Sequence, residues 1–273
     1  MNVGFVGTGN MGRILIEAFL DANVLSPSSI YITNRTIKKA EKIQESYPSI
    51  NLCLTVEEVV KNADYIFICV KPLDIHPLLM KIREHLHEKQ CLISITSPLT
   101  VEQIESMVSC QAARVIPSIT NRALSGVSLF TFGSRCSMEA KLTIKELFSH
   151  ISTPIEIENN ITRIASDIVS CGPAFFSFLL QKFIEAAVKE TEISQEKAVQ
   201  LASEMLIGLG KLIESGHYTL PALQKKVCVK GGVTGEGIKV LDSEIGDLFI
   251  HLFQRTHAKY DEDVKVVTEQ FHS

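Results

Sequence analysis

The stretch VGFVGTGNMGRILIEAFL, residues 3–20, places an apolar run directly before three glycines and an amphipathic helical pattern directly after them. Strand, glycine turn and helix in that order make the first half of a βαβ unit. Each glycine in Gly7-x-Gly9-x-x-Gly12 has a physical reading. Gly7 permits the tight turn, Gly9 lets the backbone approach a pyrophosphate, and Gly12 lets the helix pack close to the strand. The helix N-terminus then faces the anion with amides that have no acceptor of their own. The turn reads as a dinucleotide cradle, with contacts expected from Val6, Gly7, Thr8, Gly9, Asn10, Met11 and Gly12.

Outward from this turn, short apolar runs at 2–6, 29–33, 64–70, 91–95, 113–117, 127–131 and 154–157 alternate with helical patterns at 10–22, 36–46, 56–62, 73–87, 100–108 and 137–149. That alternation predicts a mostly parallel, doubly wound α/β sheet of the Rossmann type over residues 1–158. From Asn159 on, the strand signal vanishes. Helical patterns at 160–191, 194–215, 219–227, 235–243 and 246–271 predict an all-helical second domain over 159–273. Its most apolar stretch, 168–188, contains Gly172-Pro173, Gln181, Lys182 and Glu185, and reads as a buried helix rather than a membrane span.

The second strand should offer its end to the ribose. There the chain has Asn34, Arg35 and Thr36, with Lys38 and Lys39 one turn on, and no carboxylate. A guanidinium and short polar groups accept a 2′-phosphate that an acid would repel, so NADPH is favoured over NADH, which stays possible. Val70, Lys71 and Pro72 close the next long strand, on the edge where open α/β sheets bind ligands. Thr96 and Ser97 end the strand after it; either they line the nicotinamide, or Ser97 and Thr100 only cap the next helix.

Composition excludes other classes. Net charge is -4, with no tryptophan, and no run of basic residues gives nucleic acid a footprint. Seven scattered cysteines without a C-x-x-C pair argue for reduced thiols in the cytoplasm, and against a disulfide frame or a metal site. Met1 and Asn2 lead straight into a strand, so no signal peptide is expected.

The glycine-rich stretch VCVKGGVTGEGIKVLD, residues 227–242, looks at first like a second phosphate cradle. No strand precedes it and no Lys-Ser/Thr follows its glycines, so a P-loop is excluded. A 3-hydroxyacid dehydrogenase, the rival that also joins this N-terminal pattern to a helical domain, would place a catalytic lysine four residues after Gly172. Phe176 stands there, and Lys182 is the first lysine, ten residues on.

Taken together, VGFVGTGNMG, the NRT after the second strand, VKP at 70–72, CGPAFF at 171–176 and the loop Gly231, Gly232, Thr234, Gly237, Ile238 resemble the pyrroline-5-carboxylate reductase family over essentially the whole chain. The resemblance implies reduction of the cyclic imine 1-pyrroline-5-carboxylate to L-proline with NAD(P)H, and a homodimer or larger homo-oligomer built through the helical domain. It also implies that the segment Gly231, Gly232, Val233 and Thr234 holds the substrate carboxylate, with the Thr234 hydroxyl as the catalytic contact near the ring nitrogen. Glycines allow such N–H groups to converge on an anion.

Departures from the family pattern cluster in the substrate half. Val229-Lys230 replaces Ser-Pro, Ser118 and Thr120 replace Asn and Pro in the Met-Pro-Asn-Thr-Pro region, and Val169-Ser170-Cys171 replaces Ser-Gly-Ser. In length and drift the chain is similar to a divergent branch encoded with the late competence genes. Two functional readings therefore stand: an active NADPH-dependent imine reductase, and a weakly active or inactive paralogue that binds nucleotide in a regulatory role. Cys171 and Cys228, both beside the expected substrate site, read as small packing residues.

Overall fold

The computed structural model describes residues 1–272. Its strands are β1 (Val3–Val6), β2 (Ile30–Thr33), β3 (Asn51–Leu52), β4 (Tyr65–Ile68), β5 (Cys91–Ser94), β6 (Gln111–Ile116), β7 (Val127–Phe132) and β8 (Thr153–Glu156). They form one sheet in the order β3-β2-β1-β4-β5-β6-β7-β8. Every neighbouring pair is parallel except β6 with β7. Helices α1 (Asn10–Asp21), α2 (Lys38–Ser46), α3 (Val56–Asn62), α4 (Pro72–Ile82), α5 (Val101–Met107) and α6 (Met138–Ser149) connect the strands.

Alternation along each strand sends side chains to two separate cores, as the period of two requires. Val3 and Phe5 of β1, Phe67 of β4 and Ile93 of β5 join α1 and α6 on one face. Val6, Ile66, Ile68 and Leu92 join α3, α4 and α5 on the other. Five phenylalanines fill the first core: Phe67 stacks on Phe5 at 4.9 Å, and Phe148 meets Phe19 and Phe130 edge-on at 5.2 and 5.3 Å. The chain leaves β1 toward β2 on one side and returns to β4 on the other. The C-terminal ends of β1 and β4 therefore flank the crevice where such sheets bind ligands.

The remaining helices are α7 (Thr162–Ser166), α8 (Gly172–Glu190), α9 (Gln195–Glu214), α10 (Leu220–Val227), α11 (Val233–Ile245) and α12 (Leu248–His272), with a π-helical turn at Asp167–Cys171 between α7 and α8. Two compact units result. One is Met1–Pro173 together with the chain from Arg255 on; the other is Ala174–Gln254. The strand signal ends at β8, close to the expected boundary, yet the units part later. Residues 159–171 pack on the sheet: Thr162 Oγ1 accepts from Arg114, and the Val169 carbonyl accepts from Ser118 Oγ. The end of α12 returns to the same unit, with Val267 in the second core and Tyr260 donating to the Ser97 carbonyl.

The unit of residues 174–254 has few fully buried apolar side chains: Ile184, Ala198 and Ala202 form its cluster. The helix expected to be buried, α8, instead exposes Phe176, Phe178 and Phe183 at 65%, 57% and 65%. The correction has a plain cause, since too few helices of this unit surround α8 to cover more than one of its faces. By length and composition the segment Asn159–Glu190 is apolar enough to cross a membrane, with a mean hydropathy of 1.3 over its best window.

Removing an aromatic ring from the first core should cost what a buried cavity costs. Phe67→Ala is expected to destabilise the sheet unit by about 3–5 kcal/mol, read from the denaturant midpoint at constant slope. A loss under about 1 kcal/mol would contradict the packing described.

Candidate nucleotide and substrate sites

The turn after β1 is shaped by the absence of side chains. Gly7 has φ +101°, and a Cβ there would lie 2.6 Å from the Cys69 carbonyl oxygen at the end of β4. At Gly12 a Cβ would lie 2.2 Å from the Gly7 carbonyl oxygen, so α1 can begin this close to the strand with glycine alone. Gly9 has open space where its Cβ would be. It also N-caps α1 without any side-chain cap bond, so the first amides of a twelve-residue helix face outward beside that space.

Two further details bear on what the turn could hold. Thr8 donates its backbone N–H to Asn34 Oδ1 at 2.9 Å, and Asn34 Nδ2 donates to the Thr36 carbonyl at 3.0 Å. Asn34 thus ties the turn after β1 to the turn after β2. The Thr8 hydroxyl is buried and has no hydrogen-bond partner among the described residues. A buried hydroxyl left unpaired is costly unless a ligand completes it. A dinucleotide phosphate fits these groups: the free amides of Asn10 and Met11, the Thr8 hydroxyl and the open face of Gly9.

Around this cradle lie the other residues expected to touch a cofactor. Arg35 is 84% exposed, and its Nη1 lies 3.4 Å from Asp74 Oδ1 of α4, a loose surface pair of little energetic weight. Thr36 is exposed beside it. Lys71 is exposed at the N-cap of α4, with Pro72 at the first helical position and Val70 half-buried before it. Thr96 is half-buried, its hydroxyl 3.2 Å from Ser94 Oγ. Of the two residues left open as caps, Thr100 caps α5 in a reciprocal box with Gln103. Ser97 does not; its carbonyl accepts from Arg114 Nη1 and from Tyr260, each at 3.2 Å.

The second glycine turn belongs to the unit of residues 174–254. Gly231 has φ +74°, the Gly232 N–H donates to the Val229 carbonyl at 2.9 Å, and Gly232 N-caps the thirteen-residue α11 without a side-chain cap bond. The helix expected from 235 starts two residues earlier, at Val233. Thr234 therefore stands in the first helical turn, and the outward N–H groups of Val233 and Thr234 are those of a helix N-terminus rather than of a loop. Val233 is 88% exposed, an unusual setting for a branched apolar residue. Cys171 and Cys228 are both half-buried. Burial pushes the Cys171 thiol above its ordinary pKa, against the pull of Arg163, which makes it a poor nucleophile at neutral pH.

Arg114 was not legible as a site residue, although a single cation inside the apolar run ARVIP is a visible anomaly. Asp167, buried in the π-helical turn and bonded to Arg163 and Thr256, sat in what reads as uninterrupted helix.

Comparisons with known proteins show what the whole chain is similar to. Residues 2–98 match the family described as NADP oxidoreductase coenzyme F420-dependent, and residues 159–263 match pyrroline-5-carboxylate reductase dimerisation. The chain is 59% identical over 272 residues to ComE operon protein 4 of Bacillus subtilis, covering 100% of both. It is 27% identical to pyrroline-5-carboxylate reductase 3 of the same organism, over 98% of this chain and 97% of that one. Among solved structures, the pyrroline carboxylate reductase of Plasmodium falciparum with NADP bound matches at 21% identity and TM-score 0.81, covering 99% and 98% of the two chains. That of Coxiella burnetii matches at 23% and 0.82, covering 98% of each. Identity of 59% over the whole chain to ComE operon protein 4, together with the dimerisation match over residues 159–263, places it in the pyrroline-5-carboxylate reductase family of NAD(P)-dependent oxidoreductases, in the branch of ComE operon protein 4.

Proposed function

We propose that the chain is an NADPH-dependent reductase of a cyclic imine carboxylate, 1-pyrroline-5-carboxylate yielding L-proline. The observation that carries the reading is the pair of helix N-termini without side-chain caps, α1 behind Gly7–Gly9 and α11 behind Gly231–Gly232. One suits a pyrophosphate and the other a carboxylate, the anionic groups of this cofactor and of this substrate. The reduced nicotinamide, when bound, supplies the hydride.

The chain's own residues do the rest. The amides of α1 and the Thr8 hydroxyl hold the pyrophosphate, while Asn34 keeps the turn in place. Arg35, Thr36 and Lys38 meet the 2′-phosphate, and Arg35 exchanges its weak contact with Asp74 for a doubly charged partner. Val70, Lys71, Pro72, Thr96 and Ser97 line the path toward the nicotinamide. The outward N–H groups of Val233 and Thr234 receive the substrate carboxylate, while the Gly232 N–H, bonded to the Val229 carbonyl, holds the turn that presents them, and the Thr234 hydroxyl hydrogen-bonds at the ring nitrogen. A protonated imine is already electrophilic, so orientation rather than a strong acid or base accounts for the rate.

The apolar face of the helical unit supports a homodimer. Phe176, Phe178 and Phe183 of α8 and Leu201, Met205 and Leu206 of α9 are exposed on one chain. A patch of that kind is covered in a stable protein. Gln181, Lys182 and Glu185 on α8, bonded among themselves, suit a second copy of the chain better than a bilayer. The seven cysteines are all free thiols, in keeping with the cytoplasm.

One observation favours the second reading, a nucleotide-binding regulator with little or no turnover. Val229 and Val233, at the very turn that would hold the substrate, are exposed and apolar. Their side chains offer a carboxylate no hydrogen bond.

Two substitutions separate these outcomes. Thr234→Ala removes one hydrogen bond to a charged substrate, so kcat/KM for 1-pyrroline-5-carboxylate should fall about ten- to a hundredfold. NADPH affinity, measured by calorimetry, should be unchanged. Equal turnover in the variant would remove Thr234 from the mechanism. Arg35→Ala should weaken NADPH about tenfold and leave NADH nearly untouched, because only the former carries the 2′-phosphate. An equal loss for both nucleotides would contradict the assignment.

A further inference from the structure

Arg114, on β6, lies opposite Ser94 of β5 and Thr131 of β7 and is 1% exposed. Its Nη1 donates to the Ser97 and Leu99 carbonyls at 3.2 and 3.3 Å. Its Nη2 donates to Thr131 Oγ1, Asn159 Oδ1 and Thr162 Oγ1 at 3.1, 2.9 and 2.8 Å. All five acceptors are neutral, and Nε is buried with no partner. The charge that reaches nearest through this network is Glu102, an exposed side chain beyond Asn159, whose Nδ2 is 3.4 Å from Glu102 Oε1. A guanidinium stays charged under such burial, and buried charges are ordinarily paired. Among the described residues no carboxylate touches this guanidinium.

The position of this charge gives it a use. Ser97 and Leu99 belong to the turn at the C-terminal end of β5, directly behind the surface assigned above to the nicotinamide. Arg114 is held against the back of that turn by the turn's own carbonyls. We propose that Arg114 is a specificity-determining residue for the redox state of the cofactor, its uncompensated charge favouring the neutral reduced ring over the oxidised ring that carries a positive charge. The inference rests on the nucleotide reading of the preceding subsection. A ring in contact with the Ser97 backbone lies within about 10 Å of the guanidinium. At that distance, in an effective dielectric of about 20, one unit charge changes an equilibrium by about tenfold or more. The site then fills with the reduced nucleotide, and the oxidised one, once formed, is released more readily than it is taken up.

Asn159→Asp tests this without disturbing the core, because it replaces the neutral acceptor 2.9 Å from Nη2 by a carboxylate of the same shape. NADPH and NADP+ are titrated separately into the full chain by calorimetry at one ionic strength, for the wild type, Asn159→Asp, Arg114→Lys and Arg114→Gln. The wild type should bind NADPH about tenfold or more tightly than NADP+, and the ratio should fall severalfold in Asn159→Asp and collapse in Arg114→Gln. Arg114→Lys, which keeps the charge and loses the fork, should retain the ratio. If Arg114→Gln fails to fold, the surface variant Asn159→Asp decides alone. Equal affinity of the wild type for both forms, or an unchanged ratio in Asn159→Asp, overturns the inference and leaves the nucleotide site standing. Failure of the wild type to bind either form overturns the nucleotide reading itself, and this inference with it.

Discussion

The close approach of α1 to β1 is the constraint on which the rest of the structure depends. With 2.2 Å between the Gly7 oxygen and the place of a Cβ on Gly12, any side chain there would push the helix off the sheet. The helix sits where it does because nothing occupies that space. Its first amides then emerge at the crevice between β1 and β4, and Asn34 reaches across from β2 to hold the turn. Fold and proposed anion site share one cause, since the glycines that let α1 pack also leave the backbone open to a phosphate.

The helical unit is built on the opposite economy. Its core holds few side chains, and its apolar surface is spent outward on α8 and α9. In the homodimer proposed above, that outward face is completed by a second chain. The departures from the family pattern fall partly in this unit, at Val229 and Lys230, and partly in the sheet unit, at Ser118 and Val169–Cys171. Some of them are locally compensated. Ser118 Oγ donates to the Val169 carbonyl and Ser170 Oγ to the Pro117 carbonyl, each at 2.8 Å, so two altered segments are stitched to each other. The exposed valines beside Gly231 and Gly232 have no such compensation.

Much of this was legible in the sequence because it follows from periodicity. The runs NVGFV, DYIFICV and CLISI announced β1, β4 and β5 to within a residue or two, since alternating burial on two covered faces leaves near-continuous apolar strands. Strand β3 was not legible, because two residues cannot display an alternation. The start of α11 was misjudged by two residues, for a glycine pair that ends one loop also N-caps the next helix. Arg114 and Asp167 escaped notice for a different reason. Their meaning lies in what surrounds them: the five neutral acceptors of Arg114 come from segments spread between residues 97 and 162, and no local pattern foretells that.

The central claim is the proposed reduction of a cyclic imine carboxylate with NADPH. It is tested most directly by mixing the purified full-length chain with NADPH and 1-pyrroline-5-carboxylate, following the loss of dihydronicotinamide absorbance and the appearance of proline. Catalytic loss of absorbance with matching proline is the result expected. Binding of NADPH by calorimetry with no turnover would contradict the claim and leave the chain a nucleotide-binding member of its family.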